Sequence, residues 1–104
     1  MQKEYRLVIA PHAEQDLDDI NEYITVVLCN VTAANKLLDK IEQKLNLLKS
    51  TPKMCPVVEF DELPIIYRKC VIDNYIAFYS VDDFNEEIIV ERVVYAGRDL
   101  KNLL

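Results

Sequence analysis

No stretch of this chain approaches the roughly 18 consecutive apolar residues that a membrane-spanning helix needs. Met1-Gln2-Lys3-Glu4 runs straight into a strand-like segment with no signal-peptide core. Both absences lead us to expect a cytoplasmic protein that makes no use of a membrane. Cysteine is sparse and odd in number: Cys29, Cys55 and Cys70 are widely spaced and form no CxxC pair. Neither a zinc site nor a disulfide framework is implied, so plain thiols, no metal and no other cofactor are expected. A basic surplus is also missing, since 12 Lys and Arg stand against 18 Asp and Glu for a net charge of −6. A protein that grips nucleic acid through its phosphates normally carries a basic face. Only a small patch is available here, from Arg68, Lys69, Arg92 and Arg98. The single histidine, His12, stands at the start of a helical pattern, far in chain order from those cations, and reads as a surface residue.

What is present suffices for one domain, residues 1–104: the chain is 104 residues long, 51% apolar and 29% charged. Splitting it would leave two halves too small to bury a stable core. Glu4 to Ala10 suits a strand, which Pro11 stops before entering the first turn of a helix. Ala13, Leu17, Ile20, Ile24, Val27 and Leu28 recur by threes and fours, the stripe of a one-sided helix. Its acidic cluster of Glu14, Asp16, Asp18, Asp19 and Glu22 is explained by the positive end of the helix dipole, without metal or catalysis. Asn30 breaks the pattern and Thr32 is placed to cap a second helix with the stripe Ala34, Leu37, Leu38, Ile41, Leu45 and Leu48. So short a link makes the two an antiparallel αα-hairpin.

Pro52 to Pro64 reads as an irregular loop, with Val57 to Phe60 briefly extended. Ile65 to Ile72 and Tyr75 to Val81 then alternate as strands around Asp73-Asn74, a pair that tolerates a hairpin turn. Asp82 to Glu86 turns the chain into a last strand, Glu87 to Val94. The expectation is an α+β fold: an N-terminal strand, a helical hairpin, then a three-stranded antiparallel meander, with both helices on one face of the sheet. The other face would lie open. Tyr67, Tyr75, Tyr79 and Tyr95 are numerous enough to make it an aromatic docking surface, because each hydroxyl wants water or a partner.

Three segments carry a resemblance. They are Tyr5-Arg6-Leu7-Val8-Ile9-Ala10-Pro11-His12-Ala13-Glu14-Gln15-Asp16-Leu17-Asp18-Asp19-Ile20, Asn74-Tyr75-Ile76-Ala77-Phe78-Tyr79, and Arg92-Val93-Val94-Tyr95-Ala96-Gly97-Arg98-Asp99-Leu100. In this order they resemble the RelE/ParE superfamily of toxins from bacterial type II toxin–antitoxin operons. The resemblance implies a plasmid-stabilisation or addiction toxin held inactive by a protein antitoxin. The superfamily divides by target: RelE-like members cleave mRNA on the ribosome, and ParE-like members poison DNA gyrase through protein contacts.

The mRNA-cutting relatives usually carry an arginine after the tyrosine of the penultimate strand, where this chain has Ile76. Their basic or aromatic C-terminal group finds only Asn102, Leu103 and Leu104. These departures favour the gyrase-directed, non-hydrolytic branch. The alternative, an endoribonuclease of RelE type, would rest on Arg98, Tyr95 and Lys69 as catalytic residues. Arg68, Lys69, Tyr75, Tyr79, Arg92 and Arg98 are the expected partner-binding or target-binding residues. Apolar area left by an absent antitoxin would favour a homodimer.

Overall fold

A computed structural model describes residues 4–59 and 64–97. Strand β1 (Arg6–Ile9) leads into α1 (Pro11–Glu22), a π-helical turn (Tyr23–Val27) and α2 (Val31–Leu47). Four strands follow: β2 (Val57–Val58), β3 (Tyr67–Ile72), β4 (Tyr75–Asp82) and β5 (Glu87–Tyr95). They join in one five-stranded sheet of order β1-β5-β4-β3-β2. The expected meander β3-β4-β5 is antiparallel throughout, and β1 returns alongside β5 as its parallel partner. The parallel pairing requires the intervening crossover, which the helical hairpin supplies.

Both helices pack on one face. Ile20, Ile24, Leu37, Ile41, Leu45 and Leu48 meet Cys70, Ala77, Tyr79, Ile88, Val90 and Val93 in a single apolar core. The stripe of α2 is buried as its spacing requires, except that Leu38 is only half covered. Asn30, not Thr32, caps α2: its side-chain oxygen accepts from the Ala33 N–H at 3.0 Å. Val31 is then the first helical residue, so Thr32 already lies inside the first turn.

The end of the first helix departs from the expected stripe. The chain between Tyr23 and Val27 widens to a π-helical turn, which inserts a residue's worth of rotation. Ile24 stays buried, whereas Val27 and Leu28 turn outward at 64% and 54% exposure, alongside Tyr23, Val26 and Val31. The helical hairpin therefore ends in an apolar tip.

The far face of the sheet is not the open surface that the tyrosine count suggests. Ile76, Phe78 and Val94 form a second, smaller cluster there, with Phe78 fully buried and Val58 packed against it. Tyr67 and Ser80 are also buried. The brief extended piece expected near Val57 is real and pairs with Tyr67 and Arg68. Ile65 and Ile66 stay outside β3 and exposed, since the pairing on β2 begins only at Tyr67.

Candidate functional site: a groove beside the free edge of β5

Pro11 decides where the site lies. Residues Arg6 to Ile9 pair with Glu87 to Val90, and Ala10 adds one further N–H to the Val90 carbonyl at 2.9 Å. Pro11 has no N–H to continue the ladder and starts α1 instead. From Glu91 to Tyr95, β5 consequently runs on without β1 beside it, and α1 passes along that margin.

Asp16 closes part of the gap. Its carboxylate accepts from Arg92 Nε at 2.7 Å and Nη2 at 3.0 Å, a two-point clasp, and from the Val93 backbone N–H at 2.9 Å. The side chains of both ion-pair partners are only about a tenth exposed, at 10% and 11%. Asp16 Oδ2 thus satisfies a donor that β1 would have taken had it been longer. The bond to Asp16 holds the guanidinium protonated still further above its usual range, against the opposing effect of burial. Asp16 was expected to serve the helix dipole; its position between Ala13 and Ile20, on the buried stripe, instead directs it inward.

Beyond this pair lies a groove of about 460 Å³. Asp16, Asp19 and Ile20 of α1 and Tyr23 of the π-helical turn form one wall; Tyr75 of β4 and Val93, Val94 and Tyr95 of β5 form the other. The Tyr75 and Tyr95 rings meet edge to face, with centroids 5.9 Å apart and planes at 74°. Burial, then the neighbouring Tyr23 and Tyr95, raise the Tyr75 hydroxyl above its usual pKa. Gly97 lies close against the Tyr95 ring: a Cβ at this position would come within 2.9 Å of it.

The residues singled out from the sequence scatter across this frame. Tyr75 and Tyr95 do share the groove, and Tyr95 is half exposed. Arg98 lies outside the described residues. Arg92, expected as a rim cation, is buried against Asp16. Tyr79, expected to meet a partner, has 0% exposure and donates its hydroxyl to the Pro52 carbonyl at 2.9 Å. Arg68 donates to the carbonyls of Lys53 and Cys55, at 3.2 and 2.7 Å, and so braces the loop before β2.

Lys69 pairs with Phe78 of the far-face cluster, whereas Tyr95 pairs with Tyr75 on the helix side. Lys69 and Tyr95 are on opposite faces of the sheet. His12 is exposed at the start of α1. Among the described residues no group of His, Cys, Asp and Glu is arranged to hold a metal. The groove's own residues Asp19, Ile20 and Tyr23 escaped the sequence reading as site residues because the groove exists only where α1 lies along the unpaired margin of β5.

Two α-helices stacked on one side of a five-stranded sheet match the fold of solved ParE and RelE toxins. Residues 7–100 match the family described as ParE toxin of type II toxin–antitoxin system, parDE, and the chain belongs to that family. Among solved structures it is similar to the chromosomal ParDE toxin–antitoxin system of P. aeruginosa, at TM-score 0.70 and 21% identity over 88% of this chain and 96% of that one. It is similar to the archaeal RelE–RelB complex of Pyrococcus horikoshii, at TM-score 0.62 and 16% identity over 94% and 99%. A mutant of the E. coli toxin RelE in the free state matches at TM-score 0.59 and 16% identity over 97% and 99%. No curated protein matches the sequence.

Proposed function

We propose that this toxin acts by protein contacts on DNA gyrase and that a protein antitoxin neutralises it by filling the groove between α1 and β5. The observation that carries the reading is the character of the groove: its described walls are tyrosine, valine and isoleucine with two aspartates, and none is Lys or Arg. The Asp19 carboxylate repels a phosphodiester, Asp16 being neutralised by Arg92, whereas an apolar cleft of this kind accepts the side-chain anchors of a peptide.

A ribonuclease of RelE type needs a cation at the scissile phosphate with an acid and a base in reach. Among the described residues, Arg92 is occupied by Asp16, Arg68 by two carbonyls, and Lys69 is across the sheet from Tyr95. The net charge of −6 further disfavours a seat among ribosomal RNA phosphates. The apolar tip formed by Tyr23, Val26, Val27, Leu28 and Val31 supports self-association of the toxin when no antitoxin is present.

The test is to induce the toxin without its antitoxin and follow plasmid supercoiling and transcripts together. Loss of negative supercoiling with a DNA-break response and intact transcripts is expected. Codon-specific cleavage of translated mRNA with supercoiling unchanged would overturn the proposal in favour of the nuclease.

A further inference from the structure

Cys55 and Cys70 lie on neighbouring extended segments. Val57 pairs with Arg68, and one residue further back the Lys69 N–H donates to the Pro56 carbonyl at 3.0 Å. Continuing this antiparallel register sets Cys55 opposite Cys70. Because Lys69 and Pro56 form the hydrogen-bonded pair, Cys55 and Cys70 form the alternate, non-hydrogen-bonded one, in which Cα atoms are about 4.5 Å apart and side chains approach most closely. A disulfide requires Cα atoms roughly 4.4–6.8 Å apart.

Both thiols belong to the helix-side core, with exposures of 7% and 0%, so they point to the same face. They also touch: burial first, then a hydrogen bond with the Cys55 thiol, push Cys70 up to about 12. Both are free thiols in this structure, as is the exposed Cys29.

We propose that Cys55 and Cys70 are a redox-linkable pair, oxidised by hydrogen peroxide to a cross-strand disulfide that staples the α2–β3 connection onto the sheet. The Cys55 sulfur attacks one peroxide oxygen, the O–O bond breaks, and a sulfenic acid and one water result. The Cys70 sulfur then attacks the sulfenic sulfur; the S–S bond forms, the S–O bond breaks, and the hydroxyl leaves as a second water with the Cys70 proton. Two thiols lose two electrons in all and one peroxide is reduced to two waters. Cys55 is the first to react because it retains some exposure, while Cys70 is sealed beneath the helices.

The bridge closes a ring containing β2, which is only two residues long and forms the edge of the sheet. The same segment bears the carbonyls of Lys53 and Cys55 that Arg68 holds, and the Pro52 carbonyl that Tyr79 holds. Closing it covalently restricts the unfolded chain and removes the cheapest local opening of this edge.

The experiment uses the full chain with Cys29→Ser, which removes the exposed competing thiol. The folded protein is treated with hydrogen peroxide, alkylated, digested without reductant and analysed by mass spectrometry, in parallel with thermal unfolding. Support is a linked Cys55–Cys70 peptide with the loss of two hydrogen masses, and a melting temperature raised by roughly 5–15 °C. Both changes must reverse with dithiothreitol.

Three results would overturn the proposal: both thiols still separately alkylated after native oxidation, Cys55 driven to sulfinic acid with Cys70 untouched, or a link that forms only once the chain is denatured. Cys70→Ala in the same background should yield no link and a Cys55 oxidised singly. If that variant does not fold, comparing folded and denatured Cys29→Ser protein decides the matter.

Discussion

Asp16 binds a buried guanidinium and a backbone N–H on a strand that has outrun its neighbour. Removing one partner of such a pair strands the other charge out of water, which costs far more than an exposed ion pair contributes. We expect Asp16→Ala to lower unfolding stability by about 3–5 kcal/mol in urea titrations. A loss below about 1 kcal/mol would mean that Arg92 finds other solvation and that the clasp matters little. Cys70 yields a prediction in pH. Its folded thiol is raised from 9.0 to about 12, so between those values the native chain keeps a proton that the unfolded chain has released. The unfolded state binds fewer protons there, and stability must fall as pH rises through that window. Below pH 9 this contribution is fully present. Cys70→Ala should flatten the alkaline limb of a stability–pH curve, and an unchanged slope would assign it to other groups such as Tyr79, which burial also raises.

Among the elements, α2 and the β4–β5 turn are the parts whose local chemistry makes the clearest demands. Asn30→Ala removes the cap on the Ala33 N–H and is expected to cost about 1 kcal/mol, with helix content falling first at the start of α2. Thr32→Ala, by contrast, should leave stability within about 0.5 kcal/mol, because that hydroxyl is not the cap. In the turn, the Asp82 carboxylate accepts from the Asn85 backbone N–H at 3.0 Å and its side-chain amide at 2.8 Å, which lowers the Asp82 pKa below 3.8. A depressed folded pKa means that the turn's contribution is present above the unfolded value and is lost as pH falls through the folded one. Amide protection in residues 83–86, taken relative to the intrinsic exchange rate at each pH, should therefore fall on acidification below about pH 4, and Asp82→Asn should abolish that loss of protection.

On the scale of the whole molecule, the groove makes the antitoxin proposal quantitative. Tyr23 is half exposed on one wall and lies outside both core clusters, so Tyr23→Ala should leave the fold intact and weaken antitoxin binding tenfold or more, as loss of an aromatic anchor does. Asp19→Lys should chiefly slow association and alter its salt dependence, if the partner brings a basic residue to that rim. Calorimetry with the cognate antitoxin at two ionic strengths separates the two effects. Unchanged affinity in both variants would move the antitoxin to another surface.

Part of this architecture is legible in the sequence alone. The α2 stripe and the Asp73-Asn74 turn follow from short-range periodicity and from residues that tolerate unusual backbone angles. Asp73 indeed adopts φ 52. The superfamily also showed through, since its segments recur in order along nearly the whole chain. The site was far less legible. Arg92 and Tyr79 have the look of surface recognition residues, yet both are buried, because a strand's alternation does not say which neighbours will cover it.

The amino-acid order by itself thus determined the succession of strand, helical hairpin and antiparallel meander, and the acidic balance, all set by interactions within a few residues or by composition. Only the tertiary structure decided that β1 lies parallel beside β5, that Asp16 fills the gap, that Lys69 and Tyr95 part to opposite faces, and that Cys55 meets Cys70. The physical reason is that each of these outcomes depends on strand register. A shift of one residue would reverse every side chain, and register is settled by packing between segments distant in the chain.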